Sequence, residues 1–478
     1  MSDFNIGSQG EFERIRSKGF NQVPLFLTRP LEWTAQELFQ GLEGSKILLD
    51  SSATNDSQHL SIIALSKSGS FSVTANTCRI EDRLSSGPVM ERFESWLRQF
   101  KGFRRPGWPT FLGGVCGYFS YESARFMDDY ATLEPNDYGI PDILFYVVDR
   151  CVVVDHKLRK IHLVASGDDY QNLVGFLRKL ETELLALRPL RETVGKFSAM
   201  KSDRDLLEGV HSNFSQSQYE KIIENAKELI RSGETYQINL SQRFSKPHVG
   251  SPWQCYQRLT HYNPVPYAAF FPGEGFTIVS SSPECLVRKR GDRLSTRPIA
   301  GTRKKYGQAK TFCPVSELSR DPKERSEHAM LVDLARNDMS RVSIPGTVRV
   351  DHFCDIVPYK TLYHLESEVK GIMRSGLSTI DCFAGLFPGG TITGVPKRRT
   401  MELIRELEPN SRGIYTGSLG YITFCGDMDF NILIRSILFK NKMAYLNGGG
   451  GITVDAAGHL EFKETINKVR ALLMALSI

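Results

Sequence analysis

The sequence lacks long apolar runs and paired cysteines. No stretch of 18 or more apolar residues occurs among its 478 residues, so a membrane-spanning helix is not expected. The first 21 residues are polar and of mixed charge, without the apolar core of a signal peptide. The nine cysteines are scattered without a CxxC pair, which is typical of thiols in a reducing compartment. These absences predict a cytoplasmic protein that is not associated with a membrane.

Nucleic-acid and nucleotide signatures are also missing. The net charge of +6 is spread along the chain, and no basic block is interleaved with aromatic residues, so nucleic-acid binding is not expected. The glycine-rich segments match neither the P-loop nor the dinucleotide fingerprint. The composition, with 41% hydrophobic and 24% charged residues, is that of an ordinary globular protein.

Strand-like segments joined by short turns alternate with segments of helical periodicity. This pattern favours an α+β fold in which antiparallel β-sheets pack together with helices on the outside. We expect three regions: an N-terminal region (1–190), a polar linker (191–214) and a region with most of the chemical motifs (215–478). In the last region, strands are predicted at 420–424, 431–438 and 443–446, and helices at 322–336, 379–386, 396–407 and 461–475. Residues 235–243 alternate as in a strand, with Gln237 and Asn239 on one face.

Groups that bind anions and cations are concentrated in the last fifty residues. Arg435 lies in an apolar run, and a run of four glycines follows at 448–451. Glu461, Glu464 and Lys468 then share one face of the predicted helix. A loop of glycines offers amides to an anion. Carboxylates repel such a ligand unless a divalent cation bridges them, so the pattern predicts a Mg²⁺-dependent site for a small substrate with several carboxylates.

A second pair of acids repeats this spacing. Glu324 and Glu327 lie three residues apart on a predicted helix. Each pair alone is common on a solvated helix face. The apolar run at 329–334 argues against that interpretation, and a buried acid needs a cation as partner. One carboxylate from each helix could bind Mg²⁺, with the other two holding its waters.

Two further residues have a functional and a structural interpretation. Glu284 follows a predicted strand and Pro283. At such a position a partly desolvated carboxyl can serve as a general acid; alternatively, Glu284 lies in a turn at the surface. His364 stands in a mixed apolar context and is either catalytic or a core histidine. A third segment, 388–397, has glycines and prolines that open a helix and offer amides to an anion.

These motifs together resemble the chorismate-utilising enzyme family, which includes the large subunits of anthranilate synthase and aminodeoxychorismate synthase. The resemblance covers about 215–475, and more weakly the N-terminal region. It implies the chorismate-binding fold of anthranilate synthase component I. The motifs that carry it are SPE at 282–284, RPIAGT at 297–302, EHAMLVDLARND at 327–338, PGGTITGVPK at 388–397 and the C-terminal glycine run with its helix.

The resemblance also implies a role for each matching residue. Catalytic roles fall on Glu284, as the acid that assists departure of the C4 hydroxyl, on His364 near that hydroxyl, and on Gln237. The implied Mg²⁺ ligands are Glu327 and Glu464, with Glu324 and Glu461 behind them. The implied substrate-binding groups are Thr391, Tyr415, Arg435, Gly449, Gly450, Gly451 and Lys468.

Gln237 indicates whether water or ammonia is the nucleophile. Family members that add water carry a lysine base there, so the glutamine implies ammonia, delivered by a separate glutamine amidotransferase subunit in a heterodimer. Local segments such as YQINLSQ at 236–242 favour amination of chorismate at C4. Some enzymes of that type use a lysine nucleophile where this chain has Ala300, and a methyl group cannot attack. Amination at C2 with loss of pyruvate, giving anthranilate, is therefore the alternative.

Two more interpretations stay open. The chain could be a non-catalytic relative that only binds chorismate or tryptophan, although its acids and Arg435 argue against this. The strand at 46–51 resembles one that binds tryptophan in anthranilate synthases, or it is a core strand.

Overall fold

The protein is a sandwich of two β-sheets with helices on its outer faces. The structure, a computed structural model, describes residues 4–51, 59–128, 133–188, 203–305, 314–358 and 362–477. Within these ranges each sheet has twelve strands, and neighbouring strands pair antiparallel. The predicted α+β architecture is confirmed. In the same ranges, we find no helix of the length and apolarity that a membrane crossing requires.

In chain order, the strands are β1 Val23–Pro30, β2 Ile47–Asp50, β3 Leu60–Ala64, β4 Ser70–Thr74, β5 Thr77–Ile80, β6 Arg83–Ser85, β7 Gly114–Phe119, β8 Ile143–Val148, β9 Arg150–Asp155, β10 Lys160–Gly167, β11 His211–Ser212, β12 Gln237–Pro247, β13 Tyr267–Pro272, β14 Phe276–Ser282, β15 Cys285–Arg290, β16 Arg293–Arg297, β17 Ile299–Lys304, β18 Arg349–Pro358, β19 Leu362–Ile372, β20 Gly394–Val395, β21 Ser418–Thr423, β22 Met428–Asn431, β23 Ser436–Lys440 and β24 Met443–Ile452.

The helices are α1 Gln9–Arg16, α2 Ala35–Gly41, α3 Val89–Leu97, α4 Tyr170–Ala186, α5 Asp203–Leu207, α6 Gln216–Arg231, α7 Pro252–Tyr262, α8 Pro314–Arg320, α9 Pro322–Val342, α10 Thr379–Leu386, α11 Lys397–Leu407 and α12 Gly458–Leu476. Two short 3-10 turns span Tyr121–Phe126 and Gly390–Ile392.

Each sheet joins strands from the two ends of the chain. The first has the order β1-β10-β9-β3-β2-β13-β14-β23-β24-β12-β11, with β20 beside β12. The second has the order β17-β19-β16-β15-β22-β21-β7-β8-β4-β5-β6, with β18 beside β19. Strands from the first 190 residues pair with strands from residue 215 onward at two places. Strand β2 pairs with β13, at Asp50 and Ala268, and β7 pairs with β21, at Phe119 and Ser418.

The predicted linker is partly structured. Its residues 191–202 lie outside the described residues, whereas 203–214 contain α5 and β11. Strand β11 pairs with β12 of the first sheet. The division of the chain into three regions stays a prediction.

The core lies in three layers. Between the sheets, Ile62 and Ile278 of the first sheet pack with Tyr118 and Leu419 of the second. Helices α1, α2, α4, α7 and α12 cover the outer face of the first sheet, and α3, α9 and α10 cover that of the second. Apolar side chains on both faces of each sheet explain why so many strands carry unbroken apolar runs.

The sequence located most helices of the second half but not every strand. Helix α10 has the predicted bounds, and α9, α11 and α12 lie within a few residues of them, apart from the end of α9 at Val342. The predicted single strand 431–438 is wrong. The chain leaves β22 at Asn431, turns through residues 432–435 and enters β23 at Ser436. The turn ends at Arg435, whose φ is 53°.

Gly117 is expected to tolerate no side chain. It lies on β7 between β8 and β21, and a Cβ there would be 2.1 Å from the Leu144 carbonyl oxygen and 2.6 Å from the Phe145 ring. Gly117→Ala should lower the free energy of unfolding by about 3 kcal/mol, measured by urea denaturation. Gly175→Ala, on an exposed position of α4 with open space around it, should instead raise it by about 1 kcal/mol. Equal stability of the two variants would contradict this.

Candidate active site

One open cavity collects the predicted site residues. Its empty volume is about 1630 Å³, and both sheets, α9 and α12 contribute to its lining. Of the predicted residues, only Gly450 does not line it. Those that do are Gln237, Glu284, Glu324, Glu327, His364, Thr391, Tyr415, Arg435, Gly449, Gly451, Glu461, Glu464 and Lys468.

The floor of the cavity is a pair of strands, β12 and β24. Gln237 and Asn239 alternate with buried Ile238 along β12, so they share the face turned to the cavity. Asn239 pairs with Gly451 of β24. A Cβ at Gly451 would lie 2.1 Å from the Gln237 amide nitrogen. Only glycine therefore lets the Gln237 side chain lie across the neighbouring strand.

The glycine run is a strand, which corrects the predicted loop. Residues 448–451 continue β24 and pair with β12. Strand β23 pairs with β24 only as far as Leu446, so beyond that point the described chain leaves one edge of β24 without a neighbouring strand. Amides on that edge can still receive an anion. Gly450 faces α12, and a Cβ there would be 3.1 Å from a Glu461 carboxylate oxygen.

Helix α12 presents a charged face beside this strand. Glu461, Glu464 and Lys468 lie on that face as predicted, while Val469 and Leu473 are buried on the other. The Lys468 ammonium is 2.7 Å from a Glu464 carboxylate oxygen and donates to the Gly449 carbonyl at 2.8 Å. The lysine thus joins the helix to the floor.

Helix α9 supplies the second pair of acids to the cavity lining. Glu324 and Glu327 are half-buried, and His328 next to them is fully buried against Ser367 at 2.7 Å. Glu324 already forms an ion pair with Arg303 at 3.0 Å. The helix is less buried than the apolar run suggested, since Asp333 is exposed and several neighbours are half-buried.

The four carboxylates fit a Mg²⁺ ion in chemistry. All are hard oxygen donors, and Mg²⁺ needs only one or two of them when waters and substrate oxygens complete its shell. In the described ranges, no three acidic, imidazole or thiol side chains converge enough to hold a metal alone. A substrate carboxylate between the helices would supply what is missing. Glu327 and Glu464 would then hold the ion, and Glu324 and Glu461 its waters.

Arg435 and Tyr415 both line the cavity and could bind an anion, so we call their part of the cavity the anion-binding end. The break between β22 and β23 lets Arg435 leave the sheet and reach the cavity. Burial lowers the pKa of its guanidinium from the usual value, yet an arginine stays charged at neutral pH. Burial raises the pKa of Tyr415 to about 12, so its hydroxyl is a neutral donor. Together they can hold a carboxylate.

Glu284 has the properties of a general acid. It is buried, and this burial raises the pKa of its carboxyl to about 7, against the opposing effect of a hydrogen bond from Thr391. The Thr391 hydroxyl donates to its carboxylate at 2.9 Å. A carboxyl with this pKa is partly protonated at neutral pH and can donate a proton to a leaving group.

His364 lies on β19 beside β17, near Ala300. Burial lowers the pKa of its imidazole to about 4, so the ring is neutral at physiological pH. Its Nδ1 is 3.0 Å from the Gly301 carbonyl oxygen. Because a carbonyl only accepts, Nδ1 carries the proton and Nε2 is the basic nitrogen. Ala300 also lines the cavity and brings no reactive group to it.

Sequence reasoning missed Asn239, although the alternation along its strand was predicted. Asn239 and Gln237 both line the cavity, and the amide oxygen of each is enclosed without a hydrogen-bond partner among the described residues. An acceptor in this state favours a donor in the cavity. The signal in the sequence was the two-residue period that puts 237 and 239 on one face.

Asp50, on the strand that resembles a tryptophan-binding strand, is occupied by protein groups. Its carboxylate oxygens accept from the Ser61 hydroxyl and the Tyr256 hydroxyl, each at 2.9 Å. The side chain is buried. Leu49, Asp50 and Ser51 also line a small cavity, so both interpretations of this strand stay open.

Comparison with known proteins identifies the family of this chain. A family model described as chorismate binding enzyme matches residues 45–474. Aminodeoxychorismate synthase component 1 of Bacillus subtilis is 38% identical over 402 residues, covering 82% of this chain and 83% of that protein. Anthranilate synthase component 1 of Pseudomonas aeruginosa is 34% identical over 493 residues and covers 98% of each chain.

Solved structures agree with the fold. Anthranilate synthase component I from Streptococcus pneumoniae superposes with a TM-score of 0.76 at 29% identity, over 88% of this chain and 93% of that one. The menaquinone-specific isochorismate synthase from Escherichia coli, at 17% identity and a TM-score of 0.66, covers 98% of this chain and 99% of that one and shares the fold. With a family model over nine-tenths of its length and relatives above 30% identity, this chain belongs to the chorismate binding enzyme family.

Proposed function

We propose that this protein is the chorismate-aminating component of aminodeoxychorismate synthase. It would convert chorismate and ammonia to 4-amino-4-deoxychorismate and water, the step that leads to 4-aminobenzoate and folate. The observation that carries the proposal is Gln237 on the cavity floor. Water as nucleophile needs a base there, whereas ammonia has a basic lone pair of its own. A glutamine, which does not titrate, suits the second.

The product assignment rests on the motifs around the cavity. Gln237 and Asn239 both belong to the segment 236–242, which favours amination at C4. The amide oxygens of both side chains are enclosed without a hydrogen-bond partner among the described residues. The 38% identity to the Bacillus subtilis enzyme supports the same assignment. The alternative product is anthranilate, with loss of pyruvate. Ala300 and the 37% identity to an anthranilate synthase favour it.

The residues of the cavity suit the chemistry at C4. Arg435 and Tyr415 would bind a carboxylate of chorismate and orient the ring. Glu284 would give its proton to the C4 hydroxyl as the C4–O bond breaks, so that water leaves. Ammonia would form the C4–N bond, and one of its protons would return to Glu284. Neutral His364 would accept a hydrogen bond near the departing oxygen.

Bound Mg²⁺ would neutralise the ring carboxylate of chorismate. Lys468 would add a positive charge to the same side of the cavity. Both favour binding of a dianion beside four carboxylates.

Ammonia would come from a separate glutamine amidotransferase subunit in a heterodimer. Cys116, in the glycine-containing segment 113–117, would not release ammonia from glutamine itself. Its thiol is fully buried and burial raises its pKa, so it is not a nucleophile. Seven of the described cysteines are buried free thiols, which supports a cytoplasmic location.

Product identification tests the proposal. Purified protein with chorismate, Mg²⁺ and excess ammonium should yield aminodeoxychorismate by chromatography and mass, and addition of aminodeoxychorismate lyase should then yield 4-aminobenzoate. Anthranilate and pyruvate would establish the alternative. Unchanged chorismate would overturn both and indicate a binding protein.

Arg435→Met is expected to raise the KM for chorismate about 100-fold, because two charge-assisted hydrogen bonds to a carboxylate are lost. Initial-rate kinetics over a range of chorismate concentrations would measure it. Arg399→Met, which removes a partly exposed arginine of α11, serves as the control and should change KM less than twofold. A KM unaffected by Arg435→Met would remove this residue from the substrate site.

A further inference from the structure

A buried arginine, Arg412, lies behind the cavity in the segment that joins α11 to β21. Its side chain is 2% exposed. Residues 408–417 form neither helix nor strand, and the part from Arg412 onward is buried. Polar groups in such a segment need partners within the protein.

Arg412 divides its donors between an acid and two backbone carbonyls. It binds Glu408 through two parallel contacts, Nη2 to Oε1 at 2.7 Å and Nε to Oε2 at 3.0 Å. Its Nη1 donates to the Ile392 carbonyl at 2.8 Å, and its Nη2 donates to the Asn239 carbonyl at 2.7 Å. The guanidinium also lies 5.8 Å from the centre of the Tyr415 ring.

These contacts reach three separate walls of the cavity. Asn239 belongs to the floor, Ile392 follows Thr391, and Tyr415 is part of the anion-binding end. Asn239 lies on β12 and Ile392 in the 3-10 turn, whereas Tyr415 lies three residues beyond Arg412 in the same irregular segment. The planar guanidinium of Arg412 therefore sets the spacing between Asn239, Ile392 and Tyr415.

Glu408 and Glu122 hold the arginine and its segment in place. Besides binding Arg412, Glu408 accepts from the Ser241 amide of β12 at 2.7 Å. The buried Glu122 carboxylate accepts from the backbone amides of Arg412 at 2.6 Å and Gly413 at 2.9 Å. The position of Arg412 is thus determined from both the side chain and the backbone.

Stability alone is a weak reason for such a pair. Desolvation offsets most of the attraction between two buried charges, and apolar residues of similar volume often serve the fold as well. Two backbone carbonyls on different walls, in contrast, need several rigid donors at fixed angles, which a guanidinium supplies and a lysine does not.

We propose that Arg412, with Glu408, is a positioning residue of the active site: it fixes the floor at Asn239, the Thr391 turn and Tyr415 in the geometry that binds chorismate. The inference rests on the proposed function only in that chorismate turnover is its readout, and it applies equally if the product is anthranilate.

A double variant tests this without leaving a buried charge. In Glu408→Gln with Arg412→Met, the glutamine oxygen can still accept from the Ser241 amide, while the Asn239 and Ile392 carbonyls lose their donor. We expect cooperative unfolding, with a Tm within about 5 °C of the wild type. We expect kcat/KM for chorismate to fall about 100-fold, because small displacements of substrate-binding groups have effects of this size. In Arg412→Lys, kcat/KM should fall about 10-fold, an effect between those of the wild type and the double variant.

The matched control removes a second buried ion pair, Arg125–Asp142, which lies outside the cavity lining. Arg125→Met with Asp142→Asn should change kcat/KM less than twofold per folded molecule. Hydrogen exchange gives a readout that is independent of turnover. Amides of 391–395 and 412–416 should exchange faster in the Arg412 double variant than in the control.

Two results would overturn the inference: a folded Arg412 double variant with kcat/KM within twofold of the wild type, or lost turnover without faster exchange in these segments. Failure of the proposed function is distinguishable, because it would appear in the wild-type products rather than in the ratio of variant to wild type.

Discussion

Glu464→Gln is expected to lower Mg²⁺-dependent turnover of chorismate by about 1,000-fold while leaving the fold intact. Glu464 is 51% exposed, so its substitution has little effect on stability. Glu464 on α12 and Glu327 on α9 both line the cavity. In the proposed site these two carboxylates are the direct ligands, so loss of one should weaken Mg²⁺ binding severely. Turnover as a function of Mg²⁺ concentration would measure this.

A surface acid provides the control for Glu464. Glu228 on α6 is exposed and pairs with Arg231 one turn away, much as Glu464 pairs with Lys468. Glu228→Gln should leave turnover and its Mg²⁺ dependence unchanged. In Glu464→Gln, raised Mg²⁺ should restore part of the activity. Without such recovery, the defect would lie in the Lys468 contact rather than in metal binding. Wild-type turnover would remove Glu464 from the metal site.

Glu284→Gln is expected to lower kcat by about 1,000-fold, because a general acid contributes effects of this order. The amide has nearly the same shape and can still accept from the Thr391 hydroxyl, but it cannot give up a proton. Rapid-quench measurement of a single turnover would isolate the chemical step. A kcat within twofold of the wild type would assign the proton to another group.

The pH dependence of the wild type provides a second test of Glu284. The pKa of its carboxyl is raised to about 7, so the proton donor is present below this pH and is lost as pH rises through it. At a fixed concentration of free ammonia, activity should therefore fall above about pH 7, and Glu284→Gln should lose this limb. Thr391→Val should move the limb to higher pH, because the Thr391 hydrogen bond lowers the pKa of Glu284.

Stability follows the same titration with a defined sign. The folded-state pKa of Glu284 lies above the value of 4.5 for an unperturbed glutamate, so the folded protein binds the proton more tightly than the unfolded chain. The contribution of this group to stability therefore falls as pH rises from about 4.5 through 7. Glu284→Gln should lose this pH dependence and unfold at a higher temperature than the wild type at pH 8.

Local sequence determined much of the secondary structure and of the site inventory. The period of apolar residues located α10, α12 and the alternation along β12, because a helix or strand face is encoded over a few neighbouring residues. Acids three apart on α9 and α12 share a face for the same reason. The cavity lining contains all but one of the predicted residues, the exception being Gly450.

Other features depended on contacts between distant segments. The glycine run looked like a loop because glycine is rare inside strands, yet β12 pairs with it and the Gln237 side chain needs the space that a Cβ would fill. The break at 432–435 has no local signal, since the residues before Arg435 are as apolar as a strand. The turn places Arg435 in the cavity lining.

The sequence by itself determined the family, the α+β class and the chemical character of the site, because these depend on residue types at short spacing. Only the tertiary structure decided that both acidic helices line one cavity, that burial raises the pKa of Glu284 to about 7, and that Arg412 links Asn239 to Ile392. Burial and long-range hydrogen bonds set these properties. Apart from Arg412 and Ile392, which lie 20 positions apart, the residues involved are separated by more than a hundred positions, and no local pattern encodes their proximity.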